Sequence, residues 1–353
     1  MKVVVGMSGG VDSSVAAYLL KQQGHQVVGV FMKNWDDLQS HPQYRKINDL
    51  GCVWKQDHED ADQVCRLLGI PFLTYNFIKE YQVKVFDLFL KELKKGRTPN
   101  PDIVCNQEIK FELFLKKALQ EKGITAIATG HYASLKNNRL GRPKDRNKDQ
   151  TYFLYRIKPE YLSKIIFPLA NYLKSEVRKI AQDQHFPNAQ KKDSTGICFI
   201  GDIDYRKFIQ QHLISQKGEI VTATGKTLGY HEGLPFYTIG QRKGINIGGT
   251  GPYYVISKNL KENKLVVTNN KNDPRLFQAQ CLVEDLHWLV KPQLPLQCAV
   301  QIRYRQTPQT AIIEIVAHNK VKVNFTIPQR AVTSGQSAVF YQKDCVLGGG
   351  VIQ

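Results

Sequence analysis

The 353-residue sequence holds no run of 18 or more apolar residues, the length a membrane-crossing helix needs. Its N-terminus enters Val3-Val4-Val5 directly, without the charged, apolar, small-residue order of a secretion signal, so the expected location is the cytoplasm, with no membrane partner. Cysteines are few: seven, odd in number and irregularly spaced, do not form a disulfide scaffold. No C-x-x-C pair is present, and Cys52 and Cys65 have no obvious His or Cys partner, so no metal site is expected. Acidic side chains are in deficit, 31 Asp and Glu against 49 Lys and Arg, for a formal charge of +18. Such an excess suits a polyanionic partner, nucleic acid first, although a solvated basic surface would look the same. Internal repeats and low-complexity tracts are also missing. What remains, 42% apolar, is a soluble folded chain long enough for two or three domains.

Residues 1–203 alternate strand-like and helix-like runs. These are Val3 to Val5, a helix near Ser13 to Gln23, Val27 to Met32, a helix near Glu59 to Leu68, Pro71 to Tyr75, helices near Tyr81 to Lys95 and Gln107 to Lys122, and Ile124 to Thr129. That alternation predicts an α/β fold, a doubly wound parallel sheet with helices on both faces. Gly24, Gly69 and Gly123 each follow a helical run and suit a left-handed C-cap. A helix over Tyr205 to His212 then leads into short runs broken by Gly, Pro and Asn: Glu219 to Thr222, Tyr237 to Ile239, Tyr253 to Ser257 and Leu265 to Thr268. This predicts a small central β-rich domain, residues 204–273. Period-two runs at Cys298 to Tyr304, Thr310 to Ile315, Lys320 to Phe325, Ser337 to Tyr341 and Cys345 to Leu347 predict an all-β end, residues 274–353, a barrel or sandwich read here as a C-terminal β-barrel.

The strongest local signal is Gly6-Met7-Ser8-Gly9-Gly10-Val11-Asp12-Ser13, where a strand turns straight into a helix. Glycines 9 and 10 let backbone N–H groups approach a phosphate, Ser8, Ser13 and Ser14 add hydroxyls, and the helix N-terminus adds partial positive charge. The Lys of a Walker A loop is missing. Asp12 would stabilise the helix start in any case; its functional reading is to orient Mg²⁺ on a pyrophosphate. Thr224-Gly225-Lys226-Thr227 imitates a Walker A tail, but Ile220 stands where the first glycine belongs, so a β-turn is expected. The S-G-G-x-D-S pattern resembles the N-type ATP pyrophosphatases, which cleave ATP between the α and β phosphates.

Two cysteines lie in unusual surroundings. Cys105 follows Gly96-Arg97-Thr98-Pro99-Asn100-Pro101-Asp102 and is expected just ahead of a helix beginning near Gln107, where the helix N-terminus and Lys110 would favour thiolate. Cys198 lies in a Gly-containing turn beside Lys191-Lys192. Either one alone is more often a small buried hydrophobe; beside an ATP-activating loop a reactive pair becomes the better reading. Asp102 suits an acid or base, or a turn cap. Cys281, Cys298 and Cys345 sit in β-type runs and are expected in the core.

With Phe31-Met32-Lys33-Asn34-Trp35, Arg97 to Phe111, Thr129-Gly130-His131-Tyr132-Ala133, Lys148 to Leu154, Asp193 to Gly201, Tyr237 to Gly249 and Ser334 to Tyr341, the chain resembles the bacterial and organellar tRNA-specific 2-thiouridylases over essentially its whole length. The resemblance implies an adenine nucleotide alpha hydrolase-like catalytic domain. Gly6 to Ser13, Met32 and Gly130 would hold ATP with Mg²⁺, and Asn100, Pro101 and Asp102 would meet the target base. Cys198 would carry a persulfide supplied by a sulfur-donor protein, and Cys105 would act as nucleophile in its release, a transient disulfide being one outcome. His131, Lys148, Asp149, Gln150, Arg303, Tyr304 and Gln336 would lie near a tRNA with a wobble uridine. Ser334 departs from the usual Pro, and Leu38 to Trp54 is idiosyncratic. The residues leave two rivals open: another ATP pyrophosphatase, which needs no cysteine pair, and an RNA-binding protein without catalysis.

Overall fold

The computed structural model describes residues 1–36, 53–192, 205–213, 215–248 and 251–353. Cys198 and most of the idiosyncratic stretch from Leu38 lie outside the described residues. Five parallel strands, β1 (Lys2–Met7), β2 (Gln26–Lys33), β3 (Phe72–Asn76), β4 (Ile124–Thr129) and β7 (Ile165–Ile166), form a sheet in the order β3-β2-β1-β4-β7. Because alternate side chains of a strand leave opposite faces, Val4 enters one core while Val3, Val5 and Met7 enter another. The second core is roofed by α1 (Val11–Gln22), α2 (Val53–Leu67) and α5 (Lys174–Asp183). The first is roofed by α3 (Ile78–Tyr81, a π-helical turn Gln82–Phe86, then Asp87–Lys94) and α4 (Pro101–Cys105, a π-helical stretch Asn106–Phe114, then Leu115–Gln120). Burial on both faces is why these strands read as near-continuous apolar runs. The expected doubly wound sheet is present, and glycines 24, 69 and 123 have φ of +79°, +58° and +81°, as their C-cap reading requires.

Beyond α6 (Tyr205–His212), strands β8 (Gly218–Thr222), β9 (Thr227–His231), β10 (Tyr254–Asn259) and β11 (Lys264–Thr268) form a four-stranded sheet in the order β10-β11-β8-β9. The Walker-like decoy is the turn between β8 and β9, with Gly225 at φ +85° and Ile220 inside β8. Tyr237 to Ile239, expected as a strand, is irregular: Pro235 places a 3-10 turn at Leu234–Phe236 and Gly240 turns the chain at φ +79°. The last strands are β12 (Phe277–Trp288), β13 (Leu296–Gln301), β14 (Gln309–Ala317), β15 (Lys320–Arg330), β16 (Ser337–Gln342) and β17 (Cys345–Ile352). Pairing of β12 with both β15 and β17 closes them into a six-stranded antiparallel barrel, which removes free edges. A short hairpin from the first half, β5 (Ser134–Lys136) and β6 (Arg139–Gly141), is stitched to this barrel at the Cys345 and Gly141 pairing.

Tyrosines seal that junction: Tyr152 donates to the Ser337 carbonyl (3.0 Å), Tyr155 meets Ser337 Oγ (3.0 Å) and Thr151 meets the Tyr341 hydroxyl (3.2 Å), all buried. Paired in this way, the polar tips cost little to bury while the rings fill space.

Candidate active site

The sheet order reverses between β1 and β4, because β2 and β3 build to one side of β1 and β4 to the other. At such a switch point the loops after adjacent strands part and leave a crevice. Ser8, Gly9 and Gly10 occupy one side of it and Gly130 the other.

The loop is held by its own hydroxyls. Ser13 Oγ donates to the Gly10 carbonyl (2.9 Å) and accepts from the Ser8 amide (3.1 Å), and Ser14 Oγ donates to the same carbonyl (3.1 Å). Gly9, at φ +73°, carries no Cβ because one would fall 2.3 Å from the Asp57 carbonyl of α2. A Cβ on Gly130 would fall 2.6 Å from the Ser13 amide nitrogen, and one on Gly6 would meet Met32 Cε at 3.1 Å. Val11, Asp12 and Ser13 open α1, so their N–H groups have no acceptor within their own helix. That cluster of donors beside exposed Ser8 is an anion cradle.

Asp12 faces this cradle with a half-buried carboxylate. Its Oδ1 accepts from the Tyr132 hydroxyl (3.0 Å) and from Lys174 Nζ (2.7 Å). On the far side Asn188 donates to the Gly9 carbonyl and to Ser14 Oγ, both at 2.9 Å. Lys191 reaches the Gly9 carbonyl (3.4 Å) and pairs with Asp57 (2.6 Å) and Asp60 of α2. Burial works against its charge, but the two carboxylates win and hold Lys191 above its ordinary range. Two lysines from elsewhere in the chain, Lys174 and Lys191, thus stand beside the loop, each paired with a carboxylate. Sequence reasoning assigned no role to Tyr132, Lys174, Asn188, Asp57 or Asp60. The only hints were the basic pair at 191 and the i, i+3 spacing of the two aspartates.

Asp12 offers a single carboxylate at the start of α1, so Mg²⁺ held there would need phosphates to supply most of its other ligands. Among the described residues no group of three or more His, Cys, Asp or Glu could hold a metal unaided.

The Cys105 segment differs from its expectation. Asn100 caps α4 by accepting the Asp102 amide (3.1 Å), and Pro101 fills the first helical position, so the helix starts at Pro101 and not near Gln107. Asn-Pro-Asp is a helix-start signal, since Asn accepts an orphan amide, Pro has none to lose and Asp suits the positive end. Cys105 therefore lies one full turn inside the helix, only 2% exposed, in the core that also holds Ile103 and Ile109. Asp102 sits in the first turn, and the capping is done by Asn100.

The approach to α4 is clamped by the barrel. Thr98 N donates to the Ser334 carbonyl (2.9 Å), Gln336 Nε2 donates to the Thr98 carbonyl (2.7 Å), and Arg97 pairs with Glu284 (3.3 Å) and Glu92 (3.1 Å). A Cβ on Gly335 would fall 2.9 Å from Thr98 N. Gln336, expected near tRNA, thus spends its amide on the cysteine segment.

The remaining expected contacts divide. His131 meets Thr129 Oγ1 (2.8 Å) between the rings of Phe111 and Phe167. Burial, with Lys110 adding to it, pushes its pKa well below the ordinary 6.5, so the ring is neutral. Asp149 is committed internally, accepting from Arg142 Nε and from the Thr151 amide and hydroxyl. Tyr304 packs against Phe153 in a tilted contact with ring centroids 4.4 Å apart, and exposed Arg303 donates to the Ala331 carbonyl (2.9 Å). Lys148 is half-buried beside exposed Arg146. Burial pushes the Cys65, Cys281 and Cys298 thiols up to about 12, which leaves them inert as nucleophiles.

Three family models cover the chain: a tRNA methyl transferase HUP domain over residues 1–202, a tRNA methyl transferase PRC-barrel domain over 206–269 and an aminomethyltransferase β-barrel domain over 278–352. Relatives named tRNA-specific 2-thiouridylase match end to end. That of Geobacillus kaustophilus is 49% identical over 362 residues, covering 99% of this chain and 95% of its own. That of Legionella pneumophila is 48% identical over 365 residues, covering 100% and 98%. A solved 4-thiouridine synthetase in complex with RNA and bound ATP overlaps 60% of this chain and 49% of its own at 17% identity, with a TM-score of 0.34. By its matched domains and its end-to-end relatives, this chain belongs to the tRNA-specific 2-thiouridylase family.

Proposed function

We propose that the protein replaces the C2 oxygen of a wobble uridine in tRNA by sulfur, using ATP. What carries this reading is the pairing, in one chain, of a donor-lined loop at the β1/β4 switch point with a cysteine helix, α4, whose entry is clamped by the barrel. The C2 oxygen of uracil is a poor leaving group. Its attack on the α-phosphorus of ATP expels pyrophosphate and turns that oxygen into part of AMP, a good one. The N–H groups of residues 11–13 and the Lys174 ammonium would face the charge that builds on pyrophosphate, and Asp12 would take the Mg²⁺ that accompanies it.

Sulfur would come from a persulfide on Cys198, loaded by a donor protein. Either its terminal sulfur attacks C2 and AMP leaves, after which the Cys105 thiolate attacks the inner sulfur and the outer one departs with the uridine as its thiocarbonyl sulfur, or Cys105 first attacks that inner sulfur and frees hydrosulfide to attack C2. Both orders break the persulfide bond, form a Cys105–Cys198 disulfide and need an external thiol to reset the pair. Asn100, Pro101 and Asp102 would meet the flipped base at the start of α4. Lys148, Gln150, Arg303 and Tyr304 would meet the RNA around it, with Tyr304 offering an aromatic face for stacking.

The test is pyrophosphate release with ATP, Mg²⁺, a persulfide donor and unmodified tRNA. Release should require the wobble uridine, with one AMP formed per thiouridine. Equal release with a tRNA carrying cytidine at that position would overturn the reading.

A further inference from the structure

Two donors converge on Asp12 Oδ1, and both are fixed by one short stretch, residues 145–150. Tyr132, the hydroxyl donor, is bracketed by Gln150: its amide donates to Gln150 Oε1 (2.8 Å), and its carbonyl accepts the Gln150 amide (3.0 Å). Lys174, the ammonium donor, opens α5, and its amide donates to Asp145 Oδ2 (2.8 Å). The other oxygen of Asp145 accepts the amides of Asn147 (3.0 Å) and Lys148 (3.3 Å). Asp145 is only 7% exposed, and these bonds occupy both of its oxygens. Neighbouring contacts reinforce the seam: Lys144 N donates to the Ala170 carbonyl (2.8 Å), and Lys144 Nζ meets Glu176 (3.1 Å) in the first turn of α5.

The same stretch turns Arg146 outward. Arg146 is exposed and held by a surface pair with Asp344 of the barrel (2.8 Å), a partner that a phosphate could replace at little cost because exposed ion pairs contribute little. One face of residues 145–150 therefore meets a polyanion, and the other fixes both partners of the carboxylate at the nucleotide loop.

We propose that residues 145–150 couple RNA binding to nucleotide binding, with Asp145 as the positioning residue that carries the link to Lys174 and Gln150 the one that carries it to Tyr132. The proposal rests on the reading of the chain as an ATP-using tRNA enzyme. An RNA backbone bound to Arg146 and Lys148 fixes the stretch, and with it the two donors at Asp12. ATP then binds a loop whose ordering cost has already been met, and by linkage ATP strengthens RNA binding by the same factor.

The test measures affinity for α,β-methylene-ATP with Mg²⁺, alone and with saturating unmodified tRNA, while the same preparation is assayed for thiouridine formation. The wild type should bind the analogue about fivefold or more tighter with tRNA, the lower end of ordinary coupling. In Asp145→Asn the ratio should fall below about twofold, with affinity for each ligand alone near that of the wild type. Tyr132→Phe, which deletes one hydroxyl, should also lower the ratio, so the result does not depend on how well Asp145→Asn folds. A merely structural role for Asp145 would weaken each ligand separately and leave the ratio unchanged. A wild type that thiolates tRNA yet shows no tightening, or an Asp145→Asn protein with the full tightening, would overturn the coupling. A wild type that makes no thiouridine would overturn the functional reading beneath it.

Discussion

At the scale of single residues, the nucleotide loop is set by what cannot be added to it. Gly130→Ala places a methyl 2.6 Å from the Ser13 amide, where backbone and not a flexible side chain is in the way, so α1 must shift. ATP affinity measured by calorimetry should fall about tenfold or more, equivalent to about 1.4 kcal/mol or more. Histidines give a second prediction. Burial is the leading cause that holds His131, His231 and His287 below 6.5, so in the folded state they bind fewer protons than when unfolded. Their stabilisation is complete above the unfolded value and is lost as pH falls through it toward the folded ones. The melting temperature should drop between about pH 7.5 and 5.5, and His131→Gln should flatten part of that slope; a slope unchanged by the substitution would remove His131 from the account. The serines and glycines of the loop were legible in the sequence because they are contiguous. Lys174, Asn188 and Lys191 were not, since their ammonium and amide groups arrive from more than 160 residues away and only the fold joins them.

At the scale of elements, the helix carrying Cys105 shows how a local signal can be given the wrong weight. Asn100-Pro101-Asp102 is a strong start for a helix, yet the start was expected near Gln107. The structure begins α4 six residues earlier, which moves the cysteine from the helix entrance to its interior. The thiol is buried with Ile103 and Ile109, so on the proposed mechanism this face of α4 would have to open for Cys105 to react. The clamp from Ser334, Gly335 and Gln336 would then hold Thr98 while the following helix shifts. Gln336→Ala removes one hydrogen bond, a stability change of about 0.5–1.5 kcal/mol. It should lower kcat for thiolation about tenfold, on the premise that small misplacement of a reacting group costs one to two orders of magnitude. Steady-state kinetics with saturating tRNA would check this, and an unchanged kcat would reduce the clamp to a packing contact. Strand β12 was missed entirely, although Phe277, Ala279, Cys281 and Val283 alternate with Gln278, Gln280 and Glu284, because Leu282 and Asp285 interrupt the pattern. It is a strand because β15 and β17 flank it on both sides.

At the scale of the whole molecule, the fold class was readable from period alone: alternating elements in the first half, and period-two runs at the end. The C-terminal barrel was expected as well, although strand β12, whose pairing with β17 closes it, was not recognised. The junction was not legible, where Tyr152, Tyr155 and Tyr341 bury hydroxyls against Ser337, Thr151 and Gln301 and tie the cysteine half to the barrel. On the proposed coupling, a macromolecule spanning the barrel and residues 145–150 would engage the cysteine segment through the Gln336 clamp and Asp12 through Gln150 and Asp145. The most direct measurement is gel retardation on mercury of wobble-uridine tRNA after incubation with the protein, ATP, Mg²⁺ and a persulfide donor. The account predicts a retarded band with the wild type, none without ATP and none with Cys105→Ala or Cys198→Ala; a band of undiminished strength with either cysteine replaced, or no band with the wild type, would contradict it.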